Sequence, residues 1–412
     1  MTAFEEPKKF DFSLPHRTRL LFFGTTGLSI LQNYINEVDY VVYENPRERI
    51  NIWVALLALL IGRKSEVTYY KAFLKLFRPR FAITMEDNSL TFYSTKLLRP
   101  SCITLAVQNG IRGNLSNDRQ SNFSSDLQES LTKGYGVDAI ATLGASGTRF
   151  FESVLDAATT QITEVGSLRN NALKHSTESN NPRLIMVSTF PNLGENTSWD
   201  RNRWENDIAA YSCSSAITFK SLYQIESKLA AICAQVALET NYPFVILGKR
   251  PKSQPAEYEY FSESLAQHQW AYHPAEDQAS SYSFVKASDV IVSTDSTLGF
   301  ELLSRGLKVA LVTARMQTAG YPSLDEVTLK SLVGLPPRGP FWTDDSSDFE
   351  IKRVIQYAIG ISSPQWEMEI STIKNKVVAF DPGNHRFCAL LDRMGIKNSG
   401  PGYWKQSLIP RN

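Results

Sequence analysis

Several stretches of this sequence hold residues suited to handling an activated, anionic substrate. In 288–306 (SDVIVSTDSTLGFELLSRG) a strand-like run ends at Ser293, passes through a hydroxyl-rich turn and enters a helix near Thr297. The free N–H groups and dipole of such a helix start attract an anion, phosphate above all. Ser293, Thr294, Ser296 and Thr297 can donate further hydrogen bonds, and Glu301, one turn on, can accept from ribose hydroxyls. An ordinary N-cap would use the same residue types. Lys249 and Arg250 close the strand-like FVILGKRP, a pair of cations that suits a diphosphate, or a phosphate together with a carboxylate, as well as plain solvation. His273-Pro274 stands about 15 residues before the 290–293 strand, as a donor-site element or as a simple turn.

A second set of polar groups lies in the first half. Glu86, Asp87 and Asn88 follow the strand-like FAIT, and Gln108, Asn109 and Arg112 follow ITLAV, so both sets fall at strand carboxyl ends. An acceptor hydroxyl needs a carboxylate to take its proton, and two adjacent carboxylates push one pKa toward the useful range. Arg112 suits a phosphate, a sugar carboxylate or a structural salt bridge. Glu195 and Asp200, in 190–200 (FPNLGENTSWD), are alternative carboxylates. The 24–27 turn (GTTG) is not GxGxxG, and no Walker A, HExxH or GxSxG pattern is present, which counts against nicotinamide enzymes, P-loop ATPases, zincins and α/β-hydrolases.

The elements that must position these residues alternate in type. Strand-like runs at 19–24, 39–43, 81–84, 103–107 and 139–142 are separated by segments with helical patterns, and the alternation resumes at 184–188, 244–247, 290–293 and 309–312 around a long helix over 218–240. This predicts an α/β protein with two doubly wound, Rossmann-like domains: residues 1–175 for the acceptor, 182–380 for the nucleotide, and a helical segment, 381–412, returning to the first domain. Open parallel sheets bind ligands beyond their strands' carboxyl ends, so the expected site is a cleft faced by both.

Composition narrows the partners. The chain has 412 residues, with 43 Lys and Arg against 42 Asp and Glu, so no long-range field draws it to nucleic acid. The start, MTAFEEPKKFDF, lacks an apolar signal core, which predicts a cytoplasmic protein. The apolar run 52–61 is half the length of a membrane span and reads as a buried helix. The aromatic and basic stretch 69–80 (YYKAFLKLFRPR) raises peripheral contact with the inner face of the membrane, as a lipid-linked acceptor would reward, beside the alternative of packing on the sheet. Cys102, Cys213, Cys233 and Cys388 are scattered and read as reduced filler, without a structural metal or disulfide framework.

The hydroxyl-rich turn followed by LGFELLSRGLKVALV resembles the donor-nucleotide half of GT-B glycosyltransferases, and YHP resembles the His-Pro element of bacterial transferases that use CMP-linked acidic sugars or CDP-linked polyols. MEDNSLTFY, QNGIRGN, VGSLRNN, GPFWTDD and FDPGNHRF extend the resemblance, along nearly the whole chain, to bacterial surface-carbohydrate biosynthesis proteins. It implies a metal-independent GT-B enzyme of lipopolysaccharide or capsule synthesis. Within that group the retaining β-Kdo transferases of O-antigen synthesis imply CMP-Kdo as donor, a surface glycan as acceptor and an Asp or Glu nucleophile. A CDP-polyol phosphotransferase and a non-catalytic carbohydrate-assembly protein are the alternatives.

Overall fold

The computed structural model describes residues 9–62, 65–112, 119–174, 178–191, 198–202, 213–276, 280–318 and 328–403. The chain forms two compact units, one of Met1–Gly110, Asn122–Ala172 and Asp381–Asn412, the other of Ile111–Ser121 and Leu173–Phe380. Arg112 therefore groups with the second unit.

In the first unit, β1 (Lys9–Asp11) pairs with β4 (Arg49–Asn51) in a small parallel ribbon. The main sheet contains β2 (Leu20–Phe23), β3 (Tyr40–Tyr43), β5 (Phe81–Thr84), β6 (Ile103–Val107), β7 (Ala139–Thr142) and β8 (Gln161–Glu164), all parallel in the order β3-β2-β5-β6-β7-β8. Alternate side chains serve opposite faces, as the period-two geometry of a strand requires. Leu21, Phe23, Ala82, Ala106 and Ile140 pack with Tyr70, Phe73, Leu74 and Phe77 on one face. Leu20, Phe22, Phe81, Ile83, Leu105 and Val107 pack with Ile30, Leu31, Phe387, Leu390 and Leu391 on the other. The last three belong to the helix His385–Met394, so the chain's late return helps to cover this face of the sheet.

The second unit repeats the plan with β9 (Leu184–Val187), β10 (Phe244–Leu247), β11 (Ala271–His273), β12 (Val290–Ser293), β13 (Lys308–Val312) and β14 (Trp342–Thr343), parallel in the order β11-β10-β9-β12-β13-β14. Both sheets are doubly wound. The order reverses between β2 and β5 in the first and between β9 and β12 in the second, and these switch points are where such folds leave a crevice for ligands.

Of the two apolar segments, 69–80 packs on the sheet, one of its two expected readings, and 52–61 differs from expectation. The helix Glu66–Phe77 buries Tyr69, Tyr70, Ala72, Phe73, Leu74 and Phe77, so the aromatic and basic stretch 69–80 spends its apolar residues on the core. The helix Ile52–Ile61, expected to be buried, has Val54 as its one fully buried residue. It packs chiefly on the helix Glu66–Phe77, which cannot cover all sides of ten consecutive apolar residues. Among the described residues no helix is long and apolar enough to cross a membrane. Cys102, Cys233 and Cys388 are buried and unpaired, and burial pushes the Cys102 thiol up to about 12 and the Cys388 thiol up to about 11.

The returning segment is fastened by Asn384, fully buried with a left-handed φ of 59°. Its Nδ2 donates to the Tyr34 hydroxyl (2.7 Å) and the Leu168 carbonyl (2.8 Å), while its Oδ1 accepts from Asn171 Nδ2 (3.0 Å). Asn384→Ala removes three partners from buried polar groups and places alanine at positive φ. The expected cost is about 2–4 kcal/mol of unfolding free energy, read from urea denaturation.

Candidate functional site

Every sequence-derived candidate among the described residues can be placed. At the first unit's switch point, β2 ends in Gly24 and β5 in Thr84. The Thr84 hydroxyl donates to the Phe23 carbonyl (2.9 Å) and accepts from the Glu86 amide (2.8 Å), which fixes the course of the chain at the sheet edge. The Glu86 carboxylate then lies over Gly24. A Cβ at Gly24 would stand 2.1 Å from Glu86 Oε1, and one at Gly27 would stand 2.1 Å from Met85 Sδ. Both glycines also have positive φ, 80° and 67°, so the turn suits glycine twice over. Glu86 Oε1 accepts from Thr26 Oγ1 (3.1 Å). Burial raises the Glu86 pKa above the ordinary glutamate range, with Glu48 and Glu66 adding to the shift and Thr26 opposing it.

The adjacent carboxylate has a different situation. Asp87 is fully buried, and its Oδ1 accepts from the Asn109 amide (3.2 Å), tying the end of β5 to the end of β6. Gln108, also buried, accepts from the Leu143 amide (2.9 Å) and donates to the Gly110 carbonyl (2.8 Å), tying β6 to β7. Asn88 and Asn109 are exposed, and Arg112 is half-buried. The structure thus separates Glu86, available at the switch point, from Asp87 and Gln108, which brace the strand ends.

In the second unit the helix Thr297–Ser304 begins one residue after Ser296, whose side chain makes no capping hydrogen bond. The ordinary Ser296 N-cap is therefore not formed, and among the described residues no side chain accepts from the first-turn N–H groups. Gly299 permits close strand–helix contact: a Cβ there would meet Ser293 Oγ at 2.3 Å, and that hydroxyl is buried without a hydrogen-bond partner. Thr294 is fully buried. Glu301 is also buried and receives the Tyr282 hydroxyl (2.5 Å).

Cations flank this turn. At the end of β10, the Glu257 carboxylate accepts from the Lys249 amide (3.0 Å), the Arg250 amide (2.8 Å) and the Tyr272 hydroxyl (2.7 Å). This buried carboxylate fixes the backbone from which Lys249 projects. Arg250 turns back, its Nε and Nη2 donating to the Phe190 carbonyl after β9 (3.1 and 3.0 Å). The Lys249 ammonium has no hydrogen bond or ion pair among the described residues. The residue as a whole is exposed, but crowding of the ammonium by the surrounding protein lowers its pKa, Arg250 adding to the shift, while Asp295, Glu226 and Glu257 act to raise it. Beyond β13, Arg315 reaches Asp295 (2.8 Å) across the start of the helix. The His273 ring stacks on Phe284 (3.9 Å between centroids), and Pro274 is buried behind it. Asp200 is exposed, in a segment that Trp199 fastens to Glu259 and Glu263, and Glu195 lies outside the described residues.

Sequence reading missed three groups. Glu257 and Arg315 carry no local motif, and Glu226 arrives from the helix Cys213–Thr240. Glu226 Oε1 accepts from Thr189 Oγ1 (2.6 Å) just beyond β9, its other oxygen makes no hydrogen bond among the described residues, and burial pushes its pKa up to about 7.

Residues 105–395 match the model of a family described as "putative O-antigen biosynthesis protein". No curated protein matches the sequence. Among solved structures, a variant of the wall teichoic acid polymerase TagF has a TM-score of 0.50 at 12% identity, covering 92% of this chain and 89% of that one. A UDP-N-acetylglucosamine 2-epimerase gives 0.49 at 12% identity, covering 95% and 100%, and the enzyme from Neisseria meningitidis bound to UDP-GlcNAc gives 0.44 at 12%, covering 92% and 99%. At such identity the likeness to TagF is one of fold, the GT-B-like pairing of doubly wound domains.

The buried Glu226 gives a pH signature. A carboxyl whose folded pKa exceeds its unfolded value stabilises the protein fully below the unfolded value, and that contribution is lost as pH rises through the folded one. Between about pH 4.5 and 7 the wild type should lose on the order of 2 kcal/mol that Glu226→Gln does not lose. Urea midpoints measured across that range for both proteins check this.

Proposed function

This chain belongs to the O-antigen biosynthesis family, and we propose that it is a glycosyltransferase that moves a sugar from a nucleotide-activated donor to a bacterial surface glycan. The observation that carries this reading is the helix start at Thr297. It opens at the switch point of a parallel sheet, lacks a side-chain cap, and stands among cations at neighbouring strand ends.

In this reading the first-turn N–H groups and Lys249 hold the donor phosphate. Ser296 and Thr297 add hydroxyls, Arg315 is held toward the turn by Asp295, and Glu301 with Tyr282 faces the nucleoside. These fixed donors stabilise the charge that builds on the leaving phosphate, a task for preorganised dipoles and cations that needs no metal. Arg250 acts as a positioning residue for the loop after β9. Glu86 takes the proton of the acceptor hydroxyl. The bond from the anomeric carbon to the phosphate oxygen breaks with its electrons going to the nucleotide, a bond forms from that carbon to the acceptor oxygen, and the proton passes to Glu86. CMP-Kdo is the proposed donor. Its single phosphate and ulosonate carboxylate suit cations beside a helix start, and His273-Pro274 supports the same class.

Lys249→Gln should weaken CMP binding by about 1–3 kcal/mol in calorimetry, with Lys249→Arg recovering part of the loss. Glu86→Gln should lower kcat by ~10² or more with CMP affinity nearly unchanged, and the acidic limb of the wild-type kcat/KM profile should fall above the ordinary glutamate range. A donor screen read by mass spectrometry checks the chemistry. Transfer from a UDP-hexose with none from CMP-Kdo rejects the donor, and transfer of a phosphopolyol from a CDP-polyol makes the protein a phosphotransferase. Failure to bind CMP, CDP, UDP or GDP rejects enzymatic transfer from a nucleotide donor.

A further inference from the structure

The helix Ile52–Ile61 is apolar on every side, a pattern that ordinarily marks a helix enclosed by protein or lipid. It packs against Glu66–Phe77 and leaves Trp53, Leu56 and Leu59 about half exposed and Leu60 84% exposed. The chain before it extends the same surface. β1 pairs with β4, which runs directly into the helix, and the Trp53 indole N–H donates to the Phe12 carbonyl (3.2 Å). Phe10, Phe12 and Leu14 are themselves 59%, 73% and 72% exposed. Seven large apolar side chains on neighbouring elements are far more than the scattered ones a soluble surface carries.

The charge around this surface identifies what covers it. Residues 9–80 contain eleven Lys and Arg against six Asp and Glu, while the whole chain is at +1. Asp11 and Glu44 are both engaged by Arg49, and among the described residues Lys9, Arg47, Lys71 and Lys75 have no ion pair, against Glu48 and Glu66 on the acidic side. A two-fold contact with a second copy would set this positive excess against itself. An anionic bilayer meets both needs, because apolar side chains enter the acyl boundary while lysine and arginine stems reach the phosphates.

The geometry points to a membrane-docking face formed by Phe10, Phe12, Leu14 and the helix Ile52–Ile61, which lies in the surface of a bilayer containing anionic phospholipid. This face contains none of the switch-point residues and does not depend on the transferase reading. It also moves the contact from the 69–80 stretch, whose apolar residues are core, to the helix packed against it.

The test is sedimentation of the full-length protein with vesicles of phosphatidylcholine alone or mixed with phosphatidylglycerol. The wild type should bind the mixed vesicles and bind less in high salt. Leu59→Glu with Leu60→Glu should lower the partition coefficient ~10-fold or more, and Lys71→Gln with Lys75→Gln should remove the preference for phosphatidylglycerol. Circular dichroism and CMP titration of the same variants establish that fold and nucleotide site are intact. The inference fails if the wild type ignores the mixed vesicles or if the double glutamate variant binds them equally well. It also fails if light scattering finds a wild-type dimer that this variant converts to monomer, since the face would then join two copies.

Discussion

A parallel sheet covered on both faces has little room for polar side chains along its strands. In both units the inner strands are almost wholly buried, with neighbours hydrogen-bonded on either side, while the edge strands β3, β8 and β11 are partly exposed. Polar chemistry is therefore confined to strand ends, and parallel pairing brings all carboxyl ends of a sheet to one side. Glu86, Asp87 and Gln108 collect in one unit for this reason, and Lys249, Asp295 and Arg315 in the other. The reversal of strand order then opens a gap between the flanking helices at one place per sheet. Local details such as the glycine turn under Glu86 or the uncapped start at Thr297 gain significance from that placement.

The same constraint separates carboxylates by task. Asp87 and Glu257 are buried and take backbone N–H groups, a use that offsets the cost of desolvating a charge and makes the strand ends rigid. Glu86 accepts one hydroxyl from a neighbouring turn and keeps a raised pKa, a combination suited to proton transfer. Glu226 is the extreme case, with one oxygen bonded to Thr189 and the other without a hydrogen bond among the described residues. Rigid neighbours are what allow a half-satisfied group to persist beside them.

Much of this was legible in the sequence because the strands are short, apolar and followed by polar turns. FAIT, ITLAV, FVIL and VIVS are all strands, and the helix after the hydroxyl turn starts at Thr297 as read. What escaped reading depends on distant parts of the chain. Glu257 acts on Lys249 and Arg250 through helix packing, and Arg315, after β13, reaches Asp295, after the neighbouring β12. Adjacent residues of equal type, Glu86 and Asp87, receive opposite surroundings because successive side chains point different ways. Ser296 has the identity of a cap without its hydrogen bond. The helix Ile52–Ile61 misled for the opposite reason: its composition describes what it prefers to touch, and composition does not say whether protein or another medium supplies it.

The order of the chain through the first unit also bears on how the protein is made. The chain leaves this unit after Ala172 and returns at Asp381, where Asn384 locks in the helix that covers one sheet face. At about 5–20 residues per second, the roughly 200 intervening residues occupy the ribosome for about 10–40 s. Throughout that interval Leu20, Phe22, Ile83 and Leu105 await Phe387 and Leu391. The second unit, most of it contiguous over Leu173–Phe380 with its other piece, Ile111–Ser121, made earlier, can fold while its host is still unfinished. Yield in a cell thus depends on translation tempo and on holdase chaperones shielding an open apolar face, a demand set by chain topology.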